Sequence, residues 1–489
     1  MKHWLVRSLL AIAVLTIVAA LVIWRAFAPP GPLGPTASAF ALHNMTVVNP
    51  GTSRTSGQNL TVRDGLIQSM APGDAMPSGS LRAFSGMYVL PGLADMHAHL
   101  PPRNPLKLTS YFLLLNLAHG VTSIRDAGDL DGTSLVAQRE ATAEGYPGPR
   151  VFPCGPFVSA GVRKWANTVL LPAPVDAEPT AARLKAEGFH CLKAYDGLTL
   201  PMVDALREAT RKHGLSMVGH VPEGLTYEQA LIPDTQHLMG VADPRAQTAD
   251  HRLPLVQGWH AVDEARLQAI VDITRRSGIA NTPTLVHEQQ LLGLASYDAA
   301  RQSPEALLMP RLFRDVIWHP VTGIPGYRNM TPEEFERTRI AHERKLRLTH
   351  MLYRAGAPLY LGTDVQQPFT VPGISLHQEM RLFASSGIPP EAVWTMATRD
   401  AGKSLGLAGL GILAAGAPAD FLIFRKDPTG DLANLGTLEA VVAQGRLFTK
   451  AAIDAKIADY RVHYEGLIFD TLSIQLAKAA LRKVSAEAH

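Results

Sequence analysis

Hydrophobic and polar positions fall into distinct successive patterns along the chain. An uncharged apolar run from Ser8 to Trp24 follows Lys2, His3 and Arg7 and stops at Arg25. Its composition predicts a membrane-targeting helix at the lower limit of spanning length. A Pro/Gly-rich stem fills 28–39. Short apolar segments then come at Phe40–Val48, Leu60–Met70 and Leu81–Val89, separated by Gly, Asn, Asp and Pro, which is strand-and-turn patterning. It returns at Phe421–Phe424 and Leu438–Phe448. The two ends of the chain, 40–88 and 406–450, are therefore expected to build one small β-sandwich domain around an insertion.

Within 89–405 the pattern becomes strand, loop, helix. Predicted strands are Tyr88–Asp95, Val121–Arg125, Arg150–Pro153, His190–Tyr195, Ser216–Gly219, Asp234–His237, Gly278–Thr284 and Pro358–Thr363. Helical stretches are predicted at Leu108–Ala118, Thr180–Glu187, Met202–His213, Tyr227–Leu231, Val262–Ser277 and Pro332–Ala355. Such alternation predicts an α/β fold, a (β/α)8 TIM barrel. The segment 287–331 is long for a connection and reads as a lid or specificity loop. Residues 451–489 predict a helical tail, interrupted at Gly466.

Composition narrows this picture. A chain of 489 residues accommodates a barrel plus a small domain. The formal charge is only +3, and no basic run is interleaved with aromatics, so nucleic acid is excluded as a partner. The nearest small-x-small pattern, Ala26-Phe27-Ala28, precedes two prolines and makes a poor cleavage site. An uncleaved signal-anchor at 1–27 is expected, with the body on the periplasmic side of the inner membrane. The alternative is a cleaved signal peptide and a soluble periplasmic or secreted protein. Cys154 and Cys191 are the only cysteines. They could pair in an exported protein or stand as two buried thiols. Assembly into homo-oligomers is left open.

Polar residues of unusual type fall at the predicted strand ends, where barrel active sites collect. His97 and His99 end the first strand, Lys193 lies on the fourth, His220 ends the fifth, His237 the sixth, and Asp364 follows the eighth. Side chains alternate along a strand, so Asp95, His97 and His99 share one side. Four histidines and an aspartate can hold two divalent metal ions if a further ligand bridges them. An ammonium has no lone pair, but a lysine carboxylated by carbon dioxide carries two oxygens. The inferred site places His97, His99 and Asp364 on one metal and His220 and His237 on the other, with Lys193 and a hydroxide between.

The ordered segments PGLADMHAHL (91–100), VTSIRDAG (121–128), LKAY (192–195), VGHVP (218–222), QHL (236–238) and LGTD (361–364) resemble the amidohydrolase superfamily of metal-dependent hydrolases. SLHQEM at 375–380 and the segment 397–424 resemble its closing portions. Within it, the chain is most similar to the prolidase-like and imidazolonepropionase-related group. The resemblance covers about 40–450 and implies a binuclear centre, most readily of zinc, bridged by carboxylated Lys193. It also implies cleavage of a carbon–nitrogen bond by a metal-bridging hydroxide. The implied substrate is small, a dipeptide or N-acyl amino acid. Lactones, cyclic amides and organophosphates are alternatives on the same centre. An inactive exported barrel that binds a ligand is the alternative of another class. This chain has Gln236 where the superfamily often has Glu, a change expected to alter the surroundings of His237.

Further residues are weighed individually. Asp364 is expected to take the water's proton and give it to the leaving amine. Tyr195 could donate to a substrate carbonyl or pack at the mouth, and His287 after the seventh strand could touch substrate. Arg125 and Asp126 read as a structural ion pair below the site. His377 and Glu379 read as structural, and Arg163 and Lys164 as surface groups. His213 and His350, on helices, read as exposed or structural. No Gly-x-Ser-x-Gly elbow or phosphate loop is present.

Overall fold

The computed structural model describes residues 2–73, 75–142, 147–161, 163, 167–244 and 252–487. It opens with helix α1 (Lys2–Ala26), whose Val6–Ala26 stretch has a mean hydropathy of 2.6 and no part buried. That helix is long and apolar enough to cross a membrane, as a signal anchor and a signal sequence both are.

Four strands follow: β1 (Phe40–Asn49), β2 (Ser53–Arg63), β3 (Leu66–Pro72) and β4 (Tyr88–Pro91). The chain then enters the barrel with β5 (Leu93–Ala98), β6 (Val121–Asp126) and β7 (Arg150–Ser159). A short β8 (Val169–Leu170) flanks β7. The barrel continues through β9 (Cys191–Ala194), β10 (Ser216–Gly219), β11 (Asp234–Gln236) and β12 (Ala280–Thr282). The chain returns to the first sheet with β13 (Phe421–Phe424), β14 (Leu438–Ala443) and β15 (Arg446–Thr449). The first sheet is seven-stranded in the order β15-β14-β13-β4-β1-β2-β3. It curls on itself: Ile67 N donates to Ala417 O and Gly445 N to Ala419 O, drawing its two ends together. Leu60, Ile67, Val442 and Leu447 thereby share one apolar core.

Barrel strands β5, β6, β7, β9, β10, β11 and β12 are parallel and hydrogen-bonded in sequence. The eighth predicted strand, Pro358–Thr363, forms no ladder and closes the gap through isolated bridges and a few backbone hydrogen bonds. Tyr360 N donates to Asn281 O on one side, while Met96 N donates to Leu361 O and Thr363 N to His97 O on the other. Gly362 permits this approach, since a Cβ there would lie 2.6 Å from that of His97.

Helices lie where the periodicity places them. Thr331 caps Pro332–Arg354, its Oγ1 accepting from Glu334 N while Glu334 accepts from Thr331 N. Asp263 caps Glu264–Ser277, which stops at left-handed Gly278. The tail forms helices Lys450–Tyr464 and Leu467–Glu487, parted at Gly466.

Two further expectations change. The predicted strand Tyr88–Asp95 is two strands in two sheets, because Gly92 N donates to Asp420 O and the next amide, Leu93 N, to Gly120 O. Apolar residues continue through the switch, so the pattern could not mark it. Arg125 and Asp126 do not pair with each other. Adjacent strand residues face opposite sides. Arg125 Nη2 lies 2.5 Å from Asp234 Oδ2, whereas Asp126 faces His99. The pairing of Cys154 with Cys191, open from sequence, is a disulfide between adjacent β7 and β9, with Cα atoms 4.3 Å apart.

Candidate metal centre

The barrel brings the histidines, Lys193 and Asp364 to one end. His97 Nε2 and His99 Nε2 lie 3.4 and 3.3 Å from Asp364 Oδ1. The ring of His237 is centred 4.6 Å from that of His97 and 5.0 Å from that of His220. Donor atoms of His97, His237 and Asp364 all lie within 4.8 Å of one another, close enough to hold a metal ion. Tyr195 stands at the partly exposed rim, its ring 4.4 Å from that of His220.

The protons on these rings can be placed by their partners. His97 Nδ1 is 2.5 Å from Gln236 Oε1, and an amide oxygen only accepts, so Nδ1 bears the hydrogen. The amide is oriented by its nitrogen, which donates to Asp234 Oδ1 at 2.8 Å. His237 Nδ1 is 2.6 Å from Thr284 Oγ1, whose own hydrogen goes to Pro283 O. His99 Nδ1 faces the carbonyl of Gly128 at 3.3 Å. In each neutral ring the lone pair is therefore on Nε2, as it is when the second nitrogen of a metal-binding histidine is held by a hydrogen bond. His97 Nε2 and Lys193 Nζ are buried without any hydrogen-bond partner. A donor set with orphaned buried atoms fits a metal ion.

Electrostatics agree with this. Burial, with the positive charge of Lys193, holds His97 well below its ordinary range. Burial and the neighbouring His97 do the same to His237. Burial lowers Lys193 to about 7. Burial opposes charge on Asp364, but the close imidazoles of His287, His97 and His99 outweigh it and keep the carboxyl well below its usual value. Burial likewise opposes charge on His99, yet Asp126 and Asp364 together raise it to about 9. The space at His99 Nε2 thus favours a cation, whether a proton or a metal ion.

Behind the donors, Asp95 accepts from His97 N, Thr363 N and Thr363 Oγ1, tying β5 to the eighth strand. His287 Nδ1 sits 3.1 Å from Asp364 Oδ2, and its Nε2 lies 3.1 Å from the hydroxyl of Tyr327. Tyr327 in turn donates to Gln367 Oε1. Glu379 steadies the helix carrying His287 by accepting from Leu285 N and Val286 N.

Sequence reasoning missed three of these contacts. Gln236 does alter the site, but it touches His97 rather than His237. Thr284 and Tyr327 were not singled out; only the closeness of Thr284 to His287 in the chain hinted at its position. Arg163 is exposed, and Lys164 lies outside the described residues.

A family model described as the amidohydrolase family matches residues 88–448. The chain belongs to the amidohydrolase family. Solved structures similar to this amidohydrolase include the bottromycin amidohydrolase AH, at TM-score 0.69 and 23% identity, covering 91% of this chain and 93% of that one. A Xaa-Pro dipeptidase with bound methionine in its active site has TM-score 0.61 and 16% identity, covering 84% and 100%. An A. niger ochratoxinase has TM-score 0.59 and 15% identity, covering 84% and 96%. No curated protein sequence matches the chain. The family match makes the chain a hydrolase, and the similar structures share its barrel fold.

Proposed function

We propose that this amidohydrolase cleaves the amide bond of a dipeptide or N-acyl amino acid. The observation that carries this reading is the convergence of His97, His99 and His287 on Asp364, beside buried Lys193. His97, His99 and Asp364 would hold one divalent ion and His220 and His237 a second, most readily zinc, with carboxylated Lys193 between them. When bound, such ions supply Lewis acidity and make water a nucleophile near neutral pH. An ammonium on Lys193 would have no acceptor, whereas a carbamate would add two anionic oxygens to the donor set.

The residues around the ions divide the remaining work. Asp364 takes the proton of the attacking water at its carboxylate and passes it to the departing nitrogen. His287 holds Asp364 Oδ2 and fixes the direction of that transfer. Tyr195, at the rim, donates to the carbonyl oxygen as charge grows there. The 287–331 segment brings Tyr327 to His287.

The resemblance to a Xaa-Pro dipeptidase makes Xaa-Pro dipeptides the first substrates to try. A panel of these with N-acyl amino acids, run with and without chelator alongside elemental analysis, tests the reading. Chelator-sensitive hydrolysis is expected. No turnover of any member, or turnover indifferent to chelator, would overturn it. We also read α1 as an uncleaved anchor, with the body on the oxidising side of the membrane. The Cys154–Cys191 disulfide supports that side.

A further inference from the structure

The end of α1 does not leave the body freely. Trp4 and Trp24 bracket its apolar stretch, as aromatic residues bracket a span at the two headgroup levels. Just past Trp24, the ring of Phe27 packs 5.1 Å from that of Phe469 on the last tail helix. Between α1 and that helix runs a groove of about 530 Å³, lined by Ile23, Trp24, Phe27, Leu472 and Leu476, with Lys107 at its edge. Around it the tail carries large apolar side chains in the open: Leu467 is 83% exposed, Leu476 48% and Ile468 38%. Lys107 also lines an adjoining cavity of about 540 Å³ with Arg103, Thr109 and Ser110; one carboxylate, Glu140, lines it too. No side-chain ion pair engages Arg103 or Lys107 among the described residues. Apolar side chains beside basic ones, at the level where a span ends, are the composition of a surface that lies in the headgroup boundary.

We propose that this rim seats on the bilayer crossed by α1. Leu467, Ile468 and Leu476 enter the acyl–headgroup boundary, and Arg103 and Lys107 meet lipid phosphates. The inference rests on the anchor reading of α1 and goes beyond it, because an anchor alone lets the body swing free on its stem. The occupant is lipid rather than a second protein, since the surface continues directly from the apolar span.

The seating has an orientation. Arg103 lies in the loop that follows β5, and its amide donates to Asp131, in the loop that follows β6, and to Thr133, which opens the next helix. These loops leave the strand ends that carry His99 and Asp126. The barrel mouth therefore opens beside the membrane, and substrates with acyl tails would reach it along the lipid surface.

Single cysteines carrying an environment-sensitive fluorophore test the proposal in the full chain. The two native cysteines are already joined, so each new thiol is labelled alone. L467C, L476C and R211C are compared, R211C reporting the exposed last turn of helix Leu200–His213 at the other end of the barrel. The proteins are placed in phosphatidylglycerol-containing vesicles with nitroxide-bearing lipid, and intact mass establishes that α1 is retained. Loss of most of the emission at L467C and L476C, with R211C unaffected, is the expected result. Partial recovery is expected when R103E and K107E are added, or when phosphatidylglycerol is replaced by neutral lipid. Retained α1 with all three labels equally unquenched would overturn the seating and leave the anchor standing. A mass showing removal of α1, with the body free of vesicles, would overturn both. Label burial that follows protein density instead of lipid content would assign the face to contacts between copies and overturn the proposal.

Discussion

Thr284 Oγ1 accepts the hydrogen of His237 Nδ1 across 2.6 Å, and both residues hold left-handed backbones, with φ of 53° and 59°. For a β-branched residue that conformation is costly, on the order of 1–3 kcal/mol, and survives only where surrounding structure enforces it. The strain is spent where it aims an imidazole into the donor cluster.

Thr284→Val keeps the branched shape and removes the acceptor. Metal affinity is expected to fall roughly 10–100-fold, read by competition with a chromophoric chelator, while Thr284→Ser restores most of it. Unchanged affinity in the valine variant would remove the hydrogen bond from the account.

Asp364 also has a left-handed backbone, φ 53°, which asparagine tolerates. Asp364→Asn should therefore fold normally by circular dichroism. Loss of a proton-transferring carboxylate predicts a fall in kcat of roughly 10²–10⁴-fold. Undiminished turnover would contradict the role assigned to Asp364.

Lys193→Ala and the better-filling Lys193→Met should each lower the bound metal from two ions per chain to one. Inductively coupled plasma measurements on gel-filtered protein decide this. Two ions retained in both variants would show that Lys193 does not bridge them.

Behind the site, Lys345 and Glu288 form an ion pair with both side chains fully buried, next to His287 in the chain. Removing one partner strands the other charge. Lys345→Met is expected to cost about 3–5 kcal/mol in denaturant unfolding. Pairing it with Glu288→Gln should return much of that loss.

His119 and His377 lie together in the body, their ring centres 5.5 Å apart. Burial holds His119 down at about 4 and His377 at about 3. Each ring donates to a backbone carbonyl, His119 Nδ1 to Leu115 O and His377 Nε2 to His119 O. Between pH 6.5 and about 4 the unfolded chain binds protons that these folded rings refuse, so their stabilisation is full above 6.5 and falls as pH falls. His377→Gln keeps a donor without titrating. Its Tm should decline less steeply over that window than that of the parent, and parallel curves would refute the assignment.

Most barrel strands, the main helices and the histidine set were legible because each has a local signature. The switch from β4 to β5 was hidden because hydrophobic pattern reports burial, not which strand lies alongside. The partners of Arg125, Gln236 and Thr284 are distant in sequence, and barrel closure alone brings them together. Tyr327 had no local signal, since packing of the 287–331 connection sets its position. The disulfide likewise required knowing that β7 and β9 are neighbours.

The closing segment also sets the order of events during folding. Asp364 leaves the end of the segment that seals the barrel, and the seal consists of a few backbone hydrogen bonds and isolated bridges to β5 and β12 rather than a full ladder. Until that seam shuts, the histidines of β5 have no carboxylate opposite them. Closure of the barrel and assembly of the candidate metal centre are thus one event. A nascent chain with its last stave unseated would be chemically silent, so activity itself would report completion of the fold.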